Sequence, residues 1–164
     1  MTETKTVNVT YEVRGTSVGK MRNEITGRQI EPTVEPEFHM ATDEAGFHGG
    51  DGTAPLPLAY FCTGLVACLM TQIRAFAKRL RIDLKGVDVQ ATIKWKAVAE
   101  GRNPYESAPV GFLLDVDMDS DASLEDQTRL LEAAKKGCFI EATLANPIPV
   151  NHRLKQGEEF IAID

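Results

Sequence analysis

LAYFCTGLVACLMTQIRAFAKRL, residues 58–80, is the stretch whose reading decides the fold. Its first half, Leu58 to Met70, is apolar almost all round, and a helix with no polar face is expected to be buried on all sides. Its second half is amphipathic. Ile73, Phe76, Ala77 and Leu80 fall on one side, and Arg74, Lys78 and Arg79 on the other. The basic residues at its C-terminal end suit the helix dipole. Pro57 fits the first turn, where a missing N–H costs nothing. The apolar run from Ala54 to Met70 holds two prolines and gives way to Thr71, Gln72 and Arg74, so no membrane span is expected.

Outward from this helix the periodicity changes to two. Val7, Val9, Tyr11 and Val13 alternate with polar residues, as in a half-buried strand. Gly15–Lys20 reads as a turn. Short strands follow near residues 20–24 and 29–38, separated at Thr26-Gly27, and Pro32 and Pro36 make the second an edge or interrupted strand. The N-terminal strands thus occupy residues 6–38. Residues 39–57 carry Gly46, Gly49, Gly50, Gly52, Pro55 and Pro57. A loop this long in a compact domain suggests function or interface. Beyond the helix, residues 87–97 and 110–118 alternate as strands. Ser123 is placed to cap a second helix over 124–136, with Gly137 as its C′ residue. A short apolar turn and strands within 149–163 close the chain. The expected architecture is a single α+β domain over residues 1–164, with antiparallel sheets packed on a long buried central helix.

The 164 residues are enough for one domain with a real core. Net charge is −6 and no basic run stands out, which argues against nucleic-acid binding. No apolar run of a secretory signal follows the polar start Met1-Thr2-Glu3-Thr4-Lys5, and three cysteines make no disulfide framework. The expected setting is the cytoplasm, with thiols kept reduced.

Cys68 lies in the central helix and Cys138 directly after Gly137, 70 positions away, too far apart for a local metal motif. Two thiols on different helices can meet in space, reduce a peroxide and close to a disulfide. Burial raises a thiol's pKa, so Cys68 needs a cation; Arg22 is the first choice, with Arg14 and Arg28 as alternatives. Both cysteines also suit plain packing roles, and Cys62 reads as core. Amides at the start of the turn after Cys138 are expected to favour its thiolate. His39, His48, Asp43, Glu44 and Asp51 crowd the glycine-rich loop, but their spacing matches no metal motif, and they read best as solvated side chains. His48, Tyr60 and Leu58, near the helix start, are candidate substrate contacts.

Three segments together resemble the OsmC and organic hydroperoxide resistance family: Gly49-Gly50-Asp51-Gly52-Thr53-Ala54-Pro55 before Pro57, Ala67-Cys68-Leu69 in the helix, and Gly137-Cys138-Phe139-Ile140-Glu141-Ala142-Thr143-Leu144. The resemblance spans nearly the whole chain. It implies an intertwined homodimer and, for the peroxidase branch of this stress-response family, an attacking thiol at Cys68 and a resolving thiol at Cys138. It also implies an organic hydroperoxide as substrate, a dithiol reductant, and no metal or other cofactor. That branch has a glutamate ten residues before the attacking cysteine; here the position is Leu58. It also has an arginine in the first hairpin, where a register through Gly19 places Ser17. The sequence therefore supports two functions: a thiol-dependent peroxidase, or a non-peroxidase relative that binds a small hydrophobic ligand or acts on another substrate.

Overall fold

The computed structural model describes residues 4–163. The chain divides into two compact units, with the boundary between Thr63 and Gly64. The first unit holds β1 (Thr10–Val18), β2 (Arg22–Glu31) and β3 (Thr33–Thr42), an antiparallel sheet in the order β1-β2-β3. The Thr26-Gly27 step is not a break. β2 runs through it, with a register irregularity between Gly27 and Gln29. Gly27 pairs with Phe38 across the strands, and the Phe38 ring lies where a side chain on residue 27 would stand. This glycine is there for a close approach, and placing a strand boundary at it left β2 interrupted where it is continuous. Pro36 sits within β3, an edge strand.

The helix α1 (Pro57–Leu80) crosses the boundary between the units. Leu65, Leu69, Ile73 and Ala77 recur every fourth residue and form its buried face. In the second unit this face meets α2 (Leu124–Gly137) and the antiparallel pair β4 (Gly86–Val98) and β5 (Glu106–Asp119). Leu69, Ile73, Ala77, Leu130 and Ala134 make the buried centre, ringed by Val87, Val89, Leu114, Val116 and Met118 from one face of the strands. Each fully buried leucine or isoleucine contributes about 1.5–3 kcal/mol. α1 is long and apolar enough to cross a membrane, but its buried face makes it the core helix of an α+β fold.

The expectation that the first half of α1 is covered on all sides does not hold within the single chain. Leu58 is 52% exposed, and of the residues from Leu58 to Met70 only Leu65 and Leu69 are buried. After α2 the short apolar stretch is a helix, α3 (Phe139–Ala145), and a hairpin of β6 (His152–Gln156) and β7 (Glu159–Ile163) ends the chain. Leu154, Phe160, Ile161 and Ile163 on this hairpin are all exposed.

Three helix ends show how the sequence sets boundaries. Ser123 caps α2, its hydroxyl oxygen accepting from the Asp126 N–H at 3.1 Å. Gly137, expected as a left-handed C′ residue, has no positive φ. Its need for glycine is steric. A Cβ there would stand 2.6 Å from the Phe76 ring. The left-handed end belongs to α1 instead, where Arg81 has φ 58. The Ile82 N–H donates to Ala77 O at 2.9 Å and the Arg81 N–H to Lys78 O at 3.4 Å, which is the Schellman pattern. An arginine in this conformation is strained by its Cβ. Arg81→Gly is therefore expected to raise stability by about 0.5–1 kcal/mol in denaturant titration, the relief of strain outweighing glycine's extra entropy when unfolded.

Candidate functional site

In the second unit, α1 presents two adjacent stripes. Leu65, Leu69, Ile73 and Ala77 enter the core. One residue back in each turn stand Gly64, Cys68, Gln72 and Phe76, and these look towards the joint between α2 and α3. A Cβ on Gly64 would come 3.3 Å from Ile140 Cδ1, and one on Gly137 would meet the ring of Phe76 and, at 3.4 Å, Gln72 Oε1. Two glycines, one on each side, let the helices close on each other. The Arg79 guanidinium lies over the Phe76 ring, 5.6 Å from its centroid. Cys138 is the single residue between α2 and α3, and its N–H donates to Lys135 O at 3.3 Å.

This packing sets the Cys138 thiol near Cys68, close enough for Cys68 to affect its titration. Both are free. Their surroundings differ. Cys138 is fully buried and Cys68 only half-buried. Burial pushes the Cys138 thiol up to about 11, and the neighbouring Cys68 adds to the rise. The N–H groups of Glu141 and Ile140 pull the other way, as expected from the start of a helix, but burial wins. Cys138 is thus a neutral thiol near pH 7, and Cys68 is the member of the pair that a solute can reach. Glu141, in the first turn of α3, is half-buried with Oε1 in no hydrogen bond, and burial raises its pKa.

The first unit has its own polar centre around the loop that follows β3. Asp43, expected as a solvated loop side chain, is 2% exposed. Its Oδ2 accepts from the Thr53 N–H at 2.9 Å and the Thr53 hydroxyl at 2.7 Å, and its Oδ1 accepts from the Glu44 N–H at 2.8 Å. These bonds, those of Thr53 foremost, hold its carboxyl below the usual range. The Asp43 N–H donates to Pro55 O at 3.1 Å and closes the loop. Arg22, at the start of β2, donates through Nη1 to the Thr53 hydroxyl at 2.8 Å and to Thr53 O at 3.2 Å, and through Nε to Glu24 at 2.7 Å. Of the alternative arginines, Arg28 is paired with Glu12 at 3.0 Å.

The remaining sequence candidates separate. The Tyr60 hydroxyl donates to Ala41 O at 2.8 Å and ties the first turn of α1 to the end of β3. His48 pairs with Glu44 at 3.1 Å, whereas His39 stands on β3 at 3.3 Å from the Thr26 hydroxyl. Among the described residues, no group of three His, Cys, Asp or Glu side chains converges as a metal site would require. Leu58 projects from the first turn of α1 into solvent. Sequence reasoning missed the roles of Thr53 and Asp43. A threonine ten residues after an acid, across a run of glycines, is the spacing that allows such a loop to close, but nothing in it marks the acid as buried.

The fold is α+β, with one cysteine in its central core helix and a second at the joint of two later helices. The chain belongs to the OsmC-like protein family, whose model matches residues 50–153. An OsmC-like hydroperoxide resistance protein from Jannaschia sp. CCS1 is 43% identical, with 94% of this chain and 98% of that one covered and a TM-score of 0.64. The OsmC-like protein of Mycoplasma pneumoniae shares 17% identity over 84% of this chain and 89% of that one, with a TM-score of 0.62. An organic hydroperoxide resistance protein OsmC from Legionella pneumophila shares 17% over 82% and 88%, with a TM-score of 0.58. The last two are alike in fold alone. No curated protein matches the chain.

Proposed function

We propose that this protein is a thiol-dependent peroxidase that reduces organic hydroperoxides through Cys68 and Cys138. The adjacency of a reachable thiol and a buried neutral one carries this reading. The Cys68 thiolate attacks the terminal oxygen of R–O–OH. The O–O bond breaks, Cys68 becomes a sulfenic acid, and the alkoxide leaves and takes up a proton as R–OH. Cys138 then attacks the Cys68 sulfur, losing its proton; hydroxide departs and leaves as water, and the disulfide forms. A small dithiol returns both sulfurs to thiols and is itself oxidised to a disulfide. Although the family register places Ser17 at the arginine position, Arg22 is assigned as the cation for this chemistry by its place in the first hairpin, and His48, Tyr60 and Leu58 are assigned to substrate contact. The setting that fits is the reducing cytoplasm.

The active form in this reading is a homodimer. The exposed Leu58 at the start of α1 and the exposed apolar side chains of the β6–β7 hairpin are the surfaces a partner copy would cover. Light scattering at micromolar concentration should then give twice the 18.0 kDa of the chain.

The test is thiol counting. One equivalent of cumene hydroperoxide per chain should remove two free thiols, and Cys62 should stay reactive after unfolding. Loss of no thiol would leave the second reading, a relative that binds a small hydrophobic ligand, which the apolar Leu58 at the position of the family's glutamate favours. Among the residues of the first turn of α1 none is acidic. A carboxylate suits that end of a helix, and Leu58→Glu is expected to raise the rate of thiol loss several-fold. An unchanged or slower rate would show that another group already fills the glutamate's role.

A further inference from the structure

We propose that Asp43 is a positioning residue which, through the Thr53 hydroxyl, fixes the orientation of the Arg22 guanidinium and keeps its Nη2 edge turned to an incoming oxyanion or peroxide. The inference rests on the reading of Arg22 given above and deepens it.

One chain of hydrogen bonds links Asp43 to Arg22 through Thr53. A hydroxyl has one proton and two lone pairs, and its proton turns to suit its partners. Beside Asp43 the Thr53 hydroxyl has no such freedom. Its proton is drawn to Oδ2 at 2.7 Å, so its lone pairs face the other way, towards Arg22 Nη1 at 2.8 Å. The carboxylate itself cannot swing, because the Glu44 and Thr53 N–H groups hold its two oxygens at 2.8 and 2.9 Å. At the far end Glu24 takes Arg22 Nε at 2.7 Å. Two of the three guanidinium nitrogens are thereby committed, while Nη2 has no hydrogen bond among the described residues. Arg22 is 32% exposed on its side chain, so that edge is open to a solute. A guanidinium held by a fixed fork loses less freedom when it binds an oxyanion than a mobile one does. A buried carboxylate is costly to keep in place. Closing the loop through N–H groups accounts for two of its bonds, and its bond to the Thr53 hydroxyl is the one that reaches Arg22.

The test uses Thr53, which is exposed, so that its isosteric replacement leaves the fold intact. Thr53→Val removes the hydroxyl and keeps the N–H bond to Asp43. With cumene hydroperoxide as substrate and dithiothreitol as reductant, Thr53→Val and Asp43→Asn should each lower kcat/KM about tenfold, a loss of about 1.4 kcal/mol in transition-state stabilisation. Thr53→Ser should recover most of the rate. Arg22→Met should lose more, and adding Thr53→Val to it should cost nothing further, since both act through one guanidinium. In NMR spectra the Nη protons of Arg22 should be resolved in the native chain and averaged in Thr53→Val. A slow Arg22→Met with a fast Thr53→Val, or a double variant as slow as the product of the two, overturns the positioning role and leaves Arg22 in place. A fast Arg22→Met overturns both. Unchanged Arg22 resonances in Thr53→Val overturn the positioning role whatever the turnover.

Discussion

Replacing Cys68 by serine is expected to reduce hydroperoxide consumption to the background of the mixture without protein. Serine keeps the size of the side chain and removes the sulfur that forms the bond to peroxide oxygen; an alcohol at neutral pH offers no comparable nucleophile. Replacing Cys138 gives a different outcome. Cys138→Ser should consume one equivalent of cumene hydroperoxide per chain and then stop under dithiol that reaches only the disulfide form. Its Cys68 sulfenic acid should be captured by dimedone. This asymmetry follows from the two environments. Cys68 is half-buried and reachable, whereas Cys138 has no exposed surface and a thiol raised to about 11. If Cys138→Ser fails at the first turnover while Cys68→Ser retains it, the roles are reversed.

The second large effect is on stability. Leu130 is fully buried among Leu69, Ile73, Ala77 and Ala134. Leu130→Ala removes the largest side chain that α2 contributes to this centre and leaves a cavity between packed helices. The expected cost is about 3 kcal/mol. For a chain of this size that lowers Tm by about 6–12 °C. The same change should slow disulfide closure after peroxide attack, because α2 ends at the residue before Cys138 and its anchorage in the core determines where that sulfur lies. A variant with native Tm would mean that the joint of α2 and α3 is held by other contacts than those of Leu130.

The sequence makes the large elements legible because their periodicity is strong. The helix over 58–80 differs from α1 by one residue, and the second helix over 124–136 differs from α2 by one. Strand bounds shift further where glycine is ambiguous. At Gly27 and Gly137 a glycine read as backbone freedom turns out to make room for an aromatic ring, Phe38 in one case and Phe76 in the other. Those rings lie 11 and 61 positions from their glycines, so no local pattern reports the contact. The cysteines stand out by motif, but only packing shows that one is reachable and the other sealed. Asp43 was hidden for a similar reason. An acid in a loop of glycines reads as solvated, and its burial depends on donors ten residues later.

The sealed position of Cys138 also governs how the oxidised protein would be recycled. In thiol–disulfide exchange the sulfur that departs does so faster the lower its pKa. An incoming reductant can reach only the Cys68 side of the bond, so the departing group is Cys138, a poor one. It leaves at a useful rate only if a proton arrives as the bond stretches. Recycling, rather than peroxide attack, would then limit turnover, and the protein would accumulate as its disulfide whenever hydroperoxide is plentiful.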